Sequence, residues 1–209
     1  MTRAGSPEAR IVAAFDFDGT LTRSDSLLPF LWRLAGTPRF VGNMVLLAPP
    51  LLAWRMGLIS RSAFKTRVLQ RFLAGMRESD LLAHAQQFAS GSLPQQLRPE
   101  ALARLRWHQA RGHRCVIVSA SLECYLRPWA VSEGVTEVLA TRLQMKDGVC
   151  LGGIEGENCR GAEKVRRLQH WLGEREGWQI YAYGDSAGDR EMLAWADRGW
   201  YRRMPAAED

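Results

Sequence analysis

Asp16 and Asp18 stand two residues apart at the end of the chain's first apolar run and are followed at once by Gly19 and Thr20. Side chains alternate across an extended strand, so the two carboxylates would share a face. Like charges this close repel, and either a proton on one of them or a bound cation relieves the pair. A hard divalent cation such as Mg²⁺ takes carboxylate oxygens and keeps positions open for phosphate oxygens. Taken alone, the stretch DFDGT also reads as a solvated turn at a strand end, because Asp and Gly are ordinary turn residues.

Three more polar positions follow apolar or helical stretches. Ser119 closes the run Cys115-Val116-Ile117-Val118, Lys164 sits in a helical pattern, and Gly184-Asp185-Ser186-x-x-Asp189 follows Ile180–Tyr183 in the chain. The runs at residues 11–15, 115–118 and 180–183 read as buried strands. The spacing predicts helices over residues 99–111, 122–133 and 162–174, with Val165, Leu168 and Leu172 on one face of the last. Alternating strands and helices argue for an α/β fold, a doubly wound parallel sheet. Such sheets bind ligands at the carboxyl ends of their strands, where Asp16, Ser119 and Asp185 would meet. Residues 141–154 read as a hairpin turning at Asp147-Gly148.

One stretch breaks the alternation. Residues 22–94 hold successive helical patterns near 27–34, 39–56, 60–73 and 79–90 with no convincing strand. They read as a helical cap over the active edge, leaving residues 1–21 and 95–209 as the α/β core. Within the cap, residues 40–54 (FVGNMVLLAPPLLAW) carry no charge and are bracketed by Arg39 and Arg55. A bilayer span needs about 20 apolar residues, and Pro49-Pro50 would break or kink a helix here. The segment is either a core helix of the cap or an apolar, interfacial element with the arginines at headgroup level.

A length of 209 residues fits one domain with an insertion, and 46% hydrophobic with 24% charged residues is ordinary for a globular chain. The formal net charge of +6 favours anionic partners: phosphorylated substrates, anionic lipid surfaces or nucleic acid. The arginines are scattered rather than blocked, which leaves a solvated surface as the default. Cys115, Cys124, Cys150 and Cys159 form no CxxC pair, and His84, His108, His113 and His170 lack zinc-like spacing with them. The polar start of the chain is unlike a signal peptide, so a cytoplasmic protein is expected, with membrane association through the cap as a further expectation.

In their order along the chain, Asp16-x-Asp18-Gly19-Thr20, Ser119, Lys164 and Gly184-Asp185-Ser186-x-x-Asp189 resemble the haloacid dehalogenase superfamily of phosphohydrolases. The place of the insertion resembles its phosphoserine-phosphatase-like branch, and the likeness covers nearly the whole chain. The resemblance implies a Rossmannoid core with a C1-type helical cap and a Mg²⁺-dependent phosphomonoesterase. It makes Asp16 the nucleophile that forms an aspartyl-phosphate, and Asp18 the acid and base for the leaving oxygen and the water. Mg²⁺ would lie on Asp16, the backbone carbonyl of Asp18 and Asp185, with Asp189 a further carboxylate of the metal region. Ser119 and Lys164 would hold the phosphoryl group, together with Gly19, Thr20 and Ala120. Asp25 and Asn158 are weaker candidates for substrate binding.

The chain departs from the phosphoserine phosphatase pattern at three places. Gly188 replaces the usual Asn, Asp25 stands for Glu, and Ala120-Ser121-Leu122 replaces Gly-Gly-Phe. These departures argue against phosphoserine. The runs SASLE, GENCRG with Lys164, and YGDS look like the bacterial subfamily IB hydrolases, a group that includes a phosphatidylglycerophosphate phosphatase with an apolar early segment. A phospholipid headgroup phosphate and a soluble sugar, amino-alcohol or nucleotide phosphate are thus the two substrate classes. A non-catalytic module on an anion or membrane, with no nucleic acid expected, is the reading from outside enzymology.

Overall fold

The computed structural model describes residues 10–205; the polar start, residues 1–9, lies outside the described residues. The elements run β1 (Arg10–Phe15), α1 (Leu27–Ala35), α2 (Thr37–Leu46), α3 (Ala48–Arg55), α4 (Arg61–Leu73), α5 (Glu78–Gly91), a 3₁₀ turn (Pro94–Gln96) and α6 (Pro99–Ala110). They continue β2 (Arg114–Leu122), α7 (Glu123–Ser132), β3 (Glu137–Thr141), β4 (Leu143–Lys146), β5 (Val149–Ile154), α8 (Ala162–Leu172), β6 (Trp178–Gly184), α9 (Arg190–Trp195) and β7 (Arg198–Tyr201). Five strands form one sheet in the order β3-β2-β1-β6-β7. Each neighbouring pair in it is parallel.

β1 is the central strand, which explains its unbroken apolar run: a parallel strand covered on both faces has no polar side. Val12, Ala14, Val116, Val118, Ile180 and Ala182 pack on one face with Leu168 and Met192 from α8 and α9. Ala13, Phe15, Ile117, Tyr181 and Tyr183 fill the other with Leu105, Leu126 and Trp129. This second core runs on without a break into Phe30, Leu69, Phe72 and Phe88 of the helices inserted after β1. The register sets Phe15 beside Ile117 on one side and Tyr183 on the other, so the residues just beyond these three meet at one edge.

Four differences from the sequence expectation have physical causes. Residues 39–56 form two helices instead of one, parted at buried Leu47, because Pro49 and Pro50 lack the N–H a continuous helix needs and fit a first turn. β2 runs past Ser119 to Leu122 through a register shift against β3, so α7 begins at Glu123. The edge strands β3 and β7 are only five and four residues long, too short for their periodicity to stand out. The hairpin of β4 and β5 turns at Asp147 (φ 50) and Gly148 (φ 73) as expected, since a two-residue turn of this hand needs both φ positive. It docks on the helical insertion, however: Cys150 N–H donates to the Met76 carbonyl at 2.8 Å and Gly75 N–H to the Cys150 carbonyl at 2.9 Å. A Cβ on Gly152 would lie 2.5 Å from the Gln70 Cα, so only glycine permits this approach.

Candidate active site

Asp16 follows β1 directly and its N–H donates to the Tyr183 carbonyl at 2.9 Å, which extends the strand ladder by one bond and fixes the side chain at the sheet edge. Lys164, in the first turn of α8, is buried. Its Nζ donates to Asp16 Oδ1 at 2.6 Å and to Asp189 Oδ1 at 2.6 Å. The other Asp189 oxygen accepts from the Ser186 N–H at 2.9 Å and its hydroxyl at 2.7 Å. Burial pushes Asp189 up, but Lys164 and Ser186 outweigh it and hold the carboxyl below the ordinary range. Burial alone would neutralise Lys164; Asp16 and Asp189 reverse this and keep it charged, above the ordinary lysine value. Asp16 itself is raised to about 6, because burial exceeds the attraction of Lys164.

Asp185 lies at the end of β6. One oxygen each of Asp16, Asp185 and Asp189 falls within 4.8 Å of the others. Asp185 Oδ1 is buried and has no hydrogen-bond partner among the described residues. Gly19, with φ +80, lies against this group, where a Cβ would stand 2.3 Å from Asp185 Oδ2. Thr20 donates weakly to Asp16 Oδ2 at 3.4 Å.

The Asp18 carboxylate faces elsewhere and is not part of that cluster. The Ser26 N–H donates to its Oδ1 at 3.0 Å, and the Ser121 hydroxyl donates to its Oδ2. Burial first, and Asp25 next, push Asp18 to about 7. Ser26 in turn shares a 3.0 Å hydrogen bond with the Tyr125 hydroxyl on α7, so the helical insertion and the core together orient Asp18. Buried Ser119 accepts the Ser121 N–H at 3.0 Å, which leaves its own hydroxyl proton available. The two aspartates of the opening motif therefore sit in different electrostatic surroundings, one beside a buried cation and one held by neutral donors with the Asp25 carboxylate near it.

A cavity of about 530 Å³ joins these groups, bounded below by Asp16, Asp18, Gly19, Ser119, Ala120, Lys164, Asp185 and Asp189. Asp25 and Asn158 also line it. Asp25 is exposed and accepts the Leu27 N–H at 2.9 Å, which caps α1. Asn158 Oδ1 accepts from Thr141 Oγ1 at 2.9 Å and from Lys65 Nζ at 2.8 Å. The Ala120 carbonyl accepts from Lys65 and from Thr141 Oγ1.

Sequence reading missed the upper wall. Arg61, Phe64, Lys65 and Val68 project from one face of α4 into this cavity, and Arg160 faces them from the loop before α8. Their signal was the i, i+3, i+4, i+7 spacing, which any amphipathic helix shares. Ser26 and Ser121, the partners of Asp18, were missed for want of any motif.

A parallel α/β sheet whose central strand ends in a lysine-bridged acidic pocket defines a class of proteins that bind and transfer anionic groups at the strand ends. Residues 13–194 match the family described as haloacid dehalogenase-like hydrolase, and the chain belongs to that family. It is 41% identical over 194 residues to Protein CicA of Caulobacter vibrioides, covering 92% of this chain and 86% of that one. It is 27% identical to a probable phosphatase of Mycobacterium tuberculosis, over 90% of this chain and 67% of the relative. A phospho-aspartyl intermediate analogue of phosphoserine phosphatase shares the fold, with TM-score 0.60, 20% identity and coverage of 93% and 86% of the two chains. The protein is a hydrolase of this family.

Proposed function

We propose that the protein removes a phosphoryl group from a phosphomonoester through a phosphorylated Asp16, with residues 22–94 acting as a cap on a core formed by the rest of the chain. The observation that carries this reading is the different placement of the two aspartates. Asp16, beside Lys164, is raised only to about 6, while Asp18, held by Ser26 and Ser121 and facing Asp25, is raised further to about 7.

The Asp16 carboxylate attacks phosphorus, and the bond to the ester oxygen breaks. Asp18, protonated, delivers its proton to that departing oxygen; ionised, it then draws a proton from the water that cleaves the acyl phosphate. Lys164 stays charged throughout because two carboxylates hold it, so its positive charge faces the phosphoryl oxygens without reorganisation. Ser119 donates its hydroxyl to one of them, Gly19 and Ala120 line the cavity, and buried Thr20 backs Asp16. The unpaired Asp185 Oδ1 and the oxygens of Asp16 and Asp189 suit a hard cation such as Mg²⁺, with the Asp18 carbonyl a further ligand. Bound there, the cation supplies charge neutralisation for the phosphoryl group. Asp189, engaged by Lys164 and Ser186, serves first as the lysine's anchor.

A lipid headgroup phosphate is the favoured substrate class, as in the subfamily IB likeness. Leu28, Trp32, Val41, Val45, Leu46, Leu52, Met56 and Leu58 are all large, apolar and exposed, and all belong to the first part of the helical insertion. Leu27, Leu28, Trp54 and Phe64 carry apolar surface to the cavity mouth. Among the described residues no helix is long and apolar enough to cross a membrane, so contact would be peripheral. A soluble phosphate ester is the second reading, supported by a cavity of small-molecule size.

The test is p-nitrophenyl phosphate hydrolysis with and without Mg²⁺. The native protein is expected to turn it over only with the ion, and Asp16→Asn to lose about a thousandfold or more in kcat. Equal rates in the two proteins would overturn the assignment of Asp16.

A further inference from the structure

Lys164 already supplies positive charge at the phosphoryl position, yet further cations converge on the same cavity. Arg61 and Lys65 stand one turn apart on α4, and Arg160 lies on the opposite side. Neither Arg61 nor Arg160 makes a salt bridge among the described residues, and Lys65 donates only to the neutral oxygens of Ala120 and Asn158. Burial draws Lys65 down to about 8 against the pull of Asp25 and Asp18, with Arg61 adding repulsion. Burial first, and Arg61 next, hold Arg160 below the ordinary arginine value. Lys65 and Arg160 are half-buried and Arg61 is exposed at the cavity's edge; cations gathered against their mutual repulsion without a salt-bridged carboxylate suit an anion.

Gly188 points the same way. A Cβ there would stand 2.5 Å from Arg160 Nη1 and 2.8 Å from its Cγ. The missing side chain at Gly188 is what lets Arg160 lie over the loop between Asp185 and Asp189 and reach the cavity.

We propose that Arg160 and Arg61, assisted by Lys65, form a second anion position, and that the substrate carries a further phosphate or carboxylate beside the phosphoryl group removed. This rests on the phosphatase reading of the same site. Guanidinium groups suit either anion because their paired N–H donors match two oxygens at once.

Three small esters separate the outcomes: glycerol 3-phosphate without a second anion, 3-phosphoglycerate with a carboxylate, and propane-1,3-diyl bisphosphate with a phosphate. The native enzyme is expected to favour one or both doubly anionic esters by about tenfold or more in kcat/KM, mostly through KM. Which of the two is favoured names the anion. Arg160→Met, Arg61→Met and Gly188→Asn should each remove most of that preference, with a far smaller loss on glycerol 3-phosphate, and Arg61→Lys should restore part of it. Melting curves confirm that each variant folds. Equal turnover of all three esters by the native enzyme, or equal losses on all three in the variants, would overturn the proposal. If no ester is hydrolysed, the phosphatase reading fails by itself. Calorimetric binding of the bisphosphate, tighter than glycerol 3-phosphate and weakened in Arg160→Met, would then still support the second anion position, and no such difference would end it.

Discussion

The strand-end floor and the helical roof of the cavity are built on opposite principles. The floor gathers Asp16, Lys164, Asp185 and Asp189 from β1, α8 and the turn after β6, with Asp16, Lys164 and Asp189 tied to one another through the lysine. The roof presents α1 to α4, where exposed apolar side chains and unpaired arginines have few such ties. A rigid floor suits chemistry, which needs fixed distances, and a loosely tied roof suits selection among substrates, which needs surface. Asp18 joins the two, because its partners Ser26 and Ser121 come one from each.

The largest effect should appear at that joint. Asp18→Asn is expected to lower kcat/KM, which reports the attack step, by about 10²–10⁴-fold for alkyl phosphates, whose leaving oxygen needs a proton, and much less for p-nitrophenyl phosphate. Equal losses on both would mean that Asp18 positions the site instead of moving protons. Next comes stability. Leu69 is fully buried where roof meets core, and Leu69→Ala should cost about 2–5 kcal/mol in chemical denaturation. Leu52 is 60% exposed, and Leu52→Ala should change stability by less than about 0.5 kcal/mol. Comparable costs would show that the apolar row is structural.

Function of the same row gives the third prediction. Val45→Ser with Met56→Ser should weaken sedimentation with anionic vesicles severalfold while p-nitrophenyl phosphate turnover holds; unchanged sedimentation would remove the membrane from the account. The smallest effect lies beneath the floor. His108 is buried between the Tyr183 hydroxyl, 2.8 Å from its Nε2, and His113, 2.7 Å from its Nδ1. Burial, with Arg104, lowers it from 6.5 to about 3, so it is neutral in the fold and takes a proton on unfolding. Stability should therefore be full above about pH 6.5 and fall as the pH drops toward 3, with a slope that His108→Gln flattens. An unchanged slope would place the acid sensitivity elsewhere.

The two regions also differ in how far their sequence could be read. Asp16, Asp18, Ser119 and Asp185 sit at the ends of apolar runs, where strand geometry alone brings them to one edge, and the family likeness gave Lys164 and Asp189 their place beside them. Lys65 and Arg160 escaped notice because nothing in linear order separates a cation turned into a cavity from one in solvent. The apolar stretch of residues 40–54 was visible, but its division at Leu47 depends on where the two prolines enter a helix. β3 and β7 are edge strands too short to announce themselves, and the docking of the β4–β5 hairpin on α4 is set by Gly152, whose need for space shows only in three dimensions.

The most direct test of the account is acid quenching of the enzyme during turnover, followed by mass spectrometry of its peptides. One added phosphoryl group is expected on the peptide containing Asp16, increased by Asp18→Asn if hydrolysis slows more than attack. Steady turnover with no phosphoryl group on that peptide, or with the group on another residue, would contradict it.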